Sequence, residues 1–388
     1  MKKINLLYIS SSLDSIHEYR FLRLISGDKD INLTVTTCEP KPIHEKILGL
    51  DINIIKSPEA ACSANLPFMR RVALEYRHWR YVGFLRKLIE THNIDIIHSG
   101  WLTLDSYDAL KTGFHPVLAM SWGSDVLNDP YMKNPHTSRW FRGKLKYVAK
   151  NADAFYCDAS IVADTLVKLT GIGYEKINVF PQPGVDMGIF HCDTGAGEKF
   201  RREMKLENDF VAFGCRGFLS VYGVENLLES VPPIIGRISN FKLVWAGEGP
   251  LKEKCIELAR KLNIEGHVIF TGKLSLEQLA LYYNAADVYV STSFTDGSSA
   301  ALQEAFCCGL VPIVSDIPAN REWVRDGQNG WIVNPFDIES ISGAVIKAYL
   351  SEDQRLLFRE ANLKVAKEDI DELKNYDRLK KLYCNIMQ

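Results

Sequence analysis

The sequence predicts an α/β protein made of two doubly wound parallel sheets, and three observations carry that expectation. Short β-rich apolar runs alternate with longer helical stretches, which calls for a parallel sheet with helices on both faces. The alternation stops in a turn-rich interval and then starts again. The length, 388 residues, is too great for one ordinary core but natural for two domains of roughly 150–200 residues each.

Taken in order, strands are expected at residues 4–9, 33–37, 94–98, 117–121, 154–157 and 177–180, and then at 211–215, 242–246, 268–271, 288–291 and 311–315. Between the two series, Pro181, Pro183, Gly184, Gly195 and Gly197 break helices and strands alike and place the domain junction near 183–208. The domains are therefore expected at 1–190 and 205–370. The run 371–388 sets Leu373, Tyr376, Leu379, Leu382 and Tyr383 at helical spacing, predicting a helix with one apolar face that packs back on the N-terminal domain. Open parallel sheets bind ligands at the carboxyl ends of their strands. Two such Rossmann-like domains are expected to enclose a cleft, one holding a donor and the other an acceptor.

Composition narrows the class. Hydrophobic content of 46%, charged content of 24% and a net charge of −2 describe a globular protein with no preference for a polyanion, so nucleic acid is not expected as a partner. No apolar run approaches the ~20 residues that span a bilayer. The N-terminal apolar run is interrupted by Asn5 and followed by Asp14, His17, Glu18 and Arg20, which fits a first buried strand rather than a signal peptide. A cytoplasmic protein is expected. Cysteines at 38, 62, 157, 192, 215, 255, 307, 308 and 384 show no CxxC spacing and are read as reduced core thiols, with no structural metal.

The most informative stretch is 291–309, STSFTDGSSAALQEAFCCG, which reads strand, polar loop, helix. Gly297 permits close approach of a ligand to the backbone, Ser298 suits an N-cap and Gly309 a helix stop. The N–H groups of Gly297, Ser298, Ser299 and Ala300, with the helix dipole behind them, favour an anion such as a pyrophosphate. Asp296 precedes the helix, and Glu304 lies about 7 or 8 Å further along it at ~1.5 Å per residue. Two carboxylates so spaced can bracket a diphosphate.

These residues resemble the retaining glycosyltransferases of family four, whose hallmark is two acids separated by seven residues at this strand-to-helix turn. Asp296 and Glu304 match, with Asp in place of the usual first Glu. The resemblance continues in order through residues 244–250, where Gly249 lies in a glycine turn, through 263–272 with Leu274 just beyond, and through 309–316 and 326–333. It implies the two-domain GT-B fold, a nucleotide-diphosphate sugar as co-substrate, UDP or GDP foremost, no cofactor, and a glycan, glycolipid or other hydroxyl acceptor. Arg216 matches the family's diphosphate-gripping Arg and can pair bidentately with phosphate oxygens. Tyr222 stands where a Lys is usual and brings no positive charge. The resemblance further implies a front-face displacement with retention, Asp296 orienting the sugar, Glu304 the ribose, and no metal.

In the N-terminal half, residues 95–101 and 120–126 resemble strand ends that face the cleft. Trp122 replaces a His found in many relatives, Asp125 matches a frequent Asp, and Ser11 and Ser12 replace a glycine loop. With His98 these form the expected acceptor or sugar side. Residues 28–30 and 369–371 spell DxD but are read as surface turns. Stretches 70–87 and 139–146 mix basic and aromatic residues, read either as amphipathic core helices or as a peripheral contact with anionic membrane. Alternatives within this reading are a GT-B epimerase or inverting transferase, or a catalytically weak nucleotide-sugar-binding subunit of a glycan-assembly complex.

Overall fold

The computed structural model describes residues 3–39, 41–57, 67–127 and 135–388. The chain divides into two units, residues 1–183 with 375–388, and residues 184–374.

The first unit is a seven-stranded sheet of β1 (Ile4–Ile9), β2 (Ile31–Thr37), β3 (Asn53–Lys56), β4 (Ile96–Ser99), β5 (Val117–Met120), β6 (Ala154–Cys157) and β7 (Ile177–Val179). Its order is β3-β2-β1-β4-β5-β6-β7, and every pairing is parallel. The second unit has β8 (Phe210–Cys215), β9 (Phe241–Ala246), β10 (Val268–Gly272), β11 (Val288–Ser291), β12 (Val311–Ser315) and β13 (Trp331–Val333). Their order is β10-β9-β8-β11-β12-β13, again all parallel. Central strands such as β4, β5 and β12 are buried along their whole length, as helices on both faces require, and this is why they read as continuous apolar runs. Two strands are additional to those expected. β3 and β13 are edge strands of four and three residues, and exposed Asn53 conceals the first.

Both strand orders reverse direction once, between β1 and β4 in the first unit and between β8 and β11 in the second. The loops leaving such a pair diverge, one over each face, and open a crevice at the strands' carboxyl ends. Ser10 follows β1, Gly100 follows β4, Arg216 follows β8 and Thr292 follows β11, so the switch points carry the stretches that the sequence singles out.

The interval 194–197 is not a breaker. Asp193 caps a helix, Thr194–Glu203, its carboxylate accepting from the Ala196 N–H at 2.9 Å. Gly197 lies against the Asn284 backbone where a Cβ would collide, so this glycine serves close packing rather than a turn. The C-terminal helix, Glu372–Ile386, buries Leu379, Leu382 and Tyr383 but leaves Leu373 63% exposed, so the apolar face begins later than its spacing suggests. Lys380 binds Asp28 and Asp30 at 3.1 and 2.7 Å, and the Tyr376 hydroxyl donates to Asp28 at 2.8 Å. The DxD-like residues 28–30 thus anchor this helix.

Beneath it lies an aromatic core. His98 is fully buried with its Nδ1 2.6 Å from the Tyr383 hydroxyl, and its ring is packed edge-on by Tyr8, Phe21 and Tyr383. Burial pulls its pKa down to about 3, so the ring is neutral. His98 is a core residue and not part of the acceptor side. Next to it, Glu18 is 1% exposed and accepts hydrogen bonds from Ser10 and, at 2.7 Å, from Tyr8. Burial raises its pKa to about 7 against the lowering effect of those two bonds.

Of the basic and aromatic stretches, residues 70–75 lie outside the side chains described. Beyond them three of the cations are tied into the fold, while Arg80, Lys87, Arg139, Arg142 and Lys146 are exposed. Arg77 donates to the Cys38 carbonyl and to Glu39, both at 2.8 Å, Arg86 to the carbonyls of Thr112 and Lys111. Buried Lys144 lies 2.5 Å from His78 Nε2 and 4.0 Å from the Trp140 ring centre. Tyr76 and Trp79 remain exposed, Trp79 at 72%. Among the described helices none is long and apolar enough to cross a membrane.

Two predictions follow from this unit's core. Tyr383→Ala should lower stability by about 3–5 kcal/mol, the usual penalty for truncating a buried aromatic, seen as an earlier urea midpoint; a loss below about 1 kcal/mol would detach the helix from that core. Glu18 keeps its proton up to about pH 7 when folded but releases it near 4.5 when unfolded. Its contribution is therefore complete below pH 4.5 and lost as pH rises to 7, by about 3 kcal/mol. In Glu18→Gln that loss should vanish, so a stability difference between the two proteins that stays constant across this window would count against it.

Candidate functional site

In the second unit, β8 ends in Cys215 and delivers Arg216 to the switch point. A short 3-10 turn, Ser220–Tyr222, brings Tyr222 back so that its ring centre is 5.2 Å from the guanidinium carbon. This turn is stitched to the loop after β11: the Phe294 N–H donates to the Val221 carbonyl at 2.8 Å, and the Thr292 hydroxyl to the Gly223 carbonyl at 2.9 Å. These hydrogen bonds join the two switch-point loops to each other.

Arg216 Nη2 donates to Asp296 and, at 2.5 Å, to the Ser299 hydroxyl. The Arg216 and Asp296 side chains are only 15% and 18% exposed. Burial opposes the guanidinium charge, but the neighbouring carboxylate outweighs it and holds the Arg216 pKa above its ordinary value. Arg216 Nε is buried with no hydrogen-bond partner. Asp296 also accepts from the Gly297 N–H at 3.0 Å.

The helix begins one residue later than expected. Ala300–Cys307 is capped by Ser299, whose hydroxyl accepts from the Leu302 N–H at 3.2 Å, while Ser298 accepts from Gln303 Nε2 at 2.6 Å. Ser298 is thus outside the helix and Ser299 is its N-cap. The first-turn N–H groups of such a helix have no intrahelical partner, and Ser299 and Arg216 converge beside them. Gly309, at φ +72°, closes the helix as expected. Glu304 lies inside it, 3% exposed, accepting from the Tyr283 hydroxyl at 3.1 Å. Asp296, Arg216, Tyr222, Gly297 and Ser299 are brought together, whereas Glu304 stands a turn away, held from its other side by Tyr283.

Gly249 acts through the backbone. With φ +155°, it lets the 247–251 turn approach Phe218 so closely that a Cβ would lie 2.7 Å from that residue's carbonyl. The Phe218 N–H donates to the Glu248 carbonyl at 3.0 Å and Leu251 N–H to that of Phe218 at 3.1 Å. The turn thereby buttresses the segment carrying Arg216. Leu274, partly buried beyond β10, packs on the other core cluster of this unit, the one that contains Ala301, Leu302 and Ala305.

In the first unit, the loops after β1 and β4 and Trp122 beyond β5 line a cavity of about 290 Å³ whose walls include Ser12, Asp14, Glu18, Trp101 and Trp122. Trp122 packs over Gly100, where a Cβ would fall 2.8 Å from its indole nitrogen. Trp101 adopts φ +40°, and its indole N–H is buried without a partner. The backbone N–H groups of the serine loop turn inward rather than toward a ligand: Ser11 N–H donates to Asp105 at 2.9 Å and Ser12 N–H to the Ser10 hydroxyl at 3.0 Å. Asp125, 1% exposed, accepts from the Ser121 hydroxyl at 2.6 Å and the Leu102 N–H at 3.0 Å, so it ties the loop after β4 to that after β5. Of the expected acceptor-side residues, Ser12 and Trp122 border the cavity. Glu18 was not anticipated, and Trp101 was expected only as the last residue of the cleft-facing stretch 95–101. Among the described residues no group of three or more His, Cys, Asp or Glu side chains is placed to hold a metal ion.

Comparison with known proteins gives this geometry a family. A model described as glycosyl transferases group 1 matches residues 197–365, and one described as glycosyl transferase 4-like matches residues 6–159. Protein CapJ of Staphylococcus aureus is 25% identical over 253 residues, 63% of this chain and 62% of that protein. A GDP-mannose-dependent alpha-(1-6)-phosphatidylinositol monomannoside mannosyltransferase of Mycolicibacterium smegmatis is 27% identical over 170 residues, 42% of this chain and 44% of that one. The matches thus span less than two thirds of either relative. The crystal structure of Anabaena HepE in complex with UDP shares the fold, with a TM-score of 0.78 at 14% identity over 99% of this chain and 100% of that one. With one model on each sheet unit and the fold shared from end to end, the chain belongs to the family-four-like glycosyltransferases of GT-B architecture.

Proposed function

We propose that this protein moves a sugar from a nucleotide-diphosphate sugar, with UDP or GDP as the nucleotide, to a hydroxyl of a glycan or glycolipid acceptor, and that the anomeric configuration is retained. One observation carries the reading: a partly buried arginine, a capping serine and the start of the Ala300–Cys307 helix meet at the β8/β11 switch point. A permanent cation beside unpaired helix N–H groups is the arrangement that suits a diphosphate.

In this reading Arg216, Ser299 and the N–H groups of 298–300 hold the diphosphate and stabilise the charge that develops as the sugar leaves. Asp296 orients the sugar and Glu304 the ribose. Gly249 and Leu274 shape the side of the pocket toward the base. Tyr222 supplies a ring face beneath Arg216 where a second cation is usual, so Arg216 bears most of the leaving-group stabilisation. Retention then proceeds at the front face of the sugar, the leaving phosphate oxygen taking the acceptor proton. The acceptor sugar is assigned to the cavity between Trp101 and Trp122, with Ser12 as a hydrogen-bonding group. The mannosyltransferase relative, named for a phosphatidylinositol monomannoside, favours a lipid-linked acceptor, and exposed Trp79 and Tyr76 beside Arg80 suit a peripheral contact with anionic membrane.

The test is a panel of UDP-, GDP-, ADP- and dTDP-sugars scored for slow release of nucleotide and for thermal stabilisation. Wild type should be stabilised by, and hydrolyse, one donor. Arg216→Ala should lower nucleotide release about 100-fold, the scale of losing one oxyanion-type donor, and Glu304→Ala should raise the donor concentration needed. If a donor binds but wild type never turns it over, the protein is a nucleotide-sugar-binding subunit instead.

A further inference from the structure

Arg216 is already engaged through its Nη2. Its Nη2 carries two hydrogens, one donated to Asp296 and the other to Ser299, while Nε retains a buried hydrogen with no acceptor. A phosphate gripping this guanidinium bidentately along its Nε/Nη2 edge needs one of the Nη2 hydrogens. Ser299 cannot yield readily, because it is 4% exposed and caps the helix through Leu302. Asp296 can, because it is the more exposed group, stands in the loop ahead of the helix, and has a second anchor in the Gly297 N–H.

We propose that Asp296 is an internal counter-anion that competes with the nucleoside diphosphate for Arg216. This rests on the diphosphate reading of the site and adds a role to it: binding and release of nucleotide become an exchange of anions at one guanidinium. A diphosphate arriving on Arg216 frees the Asp296 carboxylate, which then becomes available to sugar hydroxyls, so donor binding itself readies the group that orients the sugar. After transfer, the return of Asp296 to Arg216 opposes retention of the product. Affinity for the product is thereby held down in favour of turnover.

The experiment is calorimetric titration of UDP, GDP, ADP and dTDP into wild type, Asp296→Asn, Arg216→Ala and the double variant, each first checked for wild-type thermal unfolding. Asn is isosteric and keeps an acceptor for the Gly297 N–H, but it offers no negative charge. The nucleotide that binds should bind Asp296→Asn about tenfold more tightly and leave it more slowly, although sugar transfer by that variant falls. A gain in affinity is not what a merely structural residue gives when it is replaced. Arg216→Ala should weaken binding, and in the double variant the Asn should confer no gain. If Asp296→Asn binds as wild type does or more weakly while Arg216→Ala weakens binding, the counter-anion role is overturned and the diphosphate reading stands. If Arg216→Ala leaves nucleotide affinity unchanged, or no nucleotide binds any of the four proteins, both fall.

Discussion

A guanidinium that never loses its proton, set at the end of a strand where little water reaches it, must be met by anions or acceptors from the chain around it. Arg216 imposes this condition on the second unit. Asp296 and Ser299 meet it, the Tyr222 ring lies against its flat face, and the glycine turn at 247–249 supports the backbone that presents it. The loop after β11 takes its shape from this charge as much as from the helix it leads into. A site built around a fixed cation is preorganised for an anionic ligand, since the protein dipoles are in place before any ligand charge appears.

The first unit answers a different condition. The segments that follow its strands β1, β4 and β5 carry acids that are buried rather than presented: Glu18 under Tyr8 and Ser10, Asp105 under Ser11, Asp125 under Ser121. Burial raises the pKa of Asp105 far above the ordinary carboxylate range, against the lowering effect of the Ser11 bonds. These acids hold the loops that shape the aromatic cavity. One unit thus offers a cation at its switch point and the other an aromatic, hydroxyl-bearing surface, which is the division of chemistry that a phosphate-bearing donor and a sugar acceptor call for.

The sheets were legible in the sequence because their central strands are buried on both faces and so spell unbroken apolar runs. Edge strands β3 and β13 were not, both being short and β3 only partly buried. The turn 291–309 was legible because its chemistry is local: an acid, a glycine, serines and a helix follow one another in a few residues. Even there the cap fell on Ser299 rather than Ser298, since either serine satisfies a local rule and only the packing of Gln303 against Ser298 separates them. The inward or outward facing of strand-end residues was not legible. His98 pairs with Tyr8 and Leu118 in register, and that alignment places it on the face covered by the C-terminal helix. Glu18 gave no sign because a carboxylate in a first helical turn is ordinary, and its burial depends on Tyr8 and Ser10 reaching it from the neighbouring strand.

The return of residues 375–388 to the first unit has a consequence for the order in which the molecule is made. The second unit is one uninterrupted length of chain, residues 184–374, and can close as soon as that length has left the ribosome. The first unit begins earlier yet finishes later, because the ring that covers His98 belongs to Tyr383. Domains usually complete in the order in which they are synthesised. In this chain the core around the neutral imidazole is complete only once residues 375–388, synthesised after the whole second unit, have docked on the first.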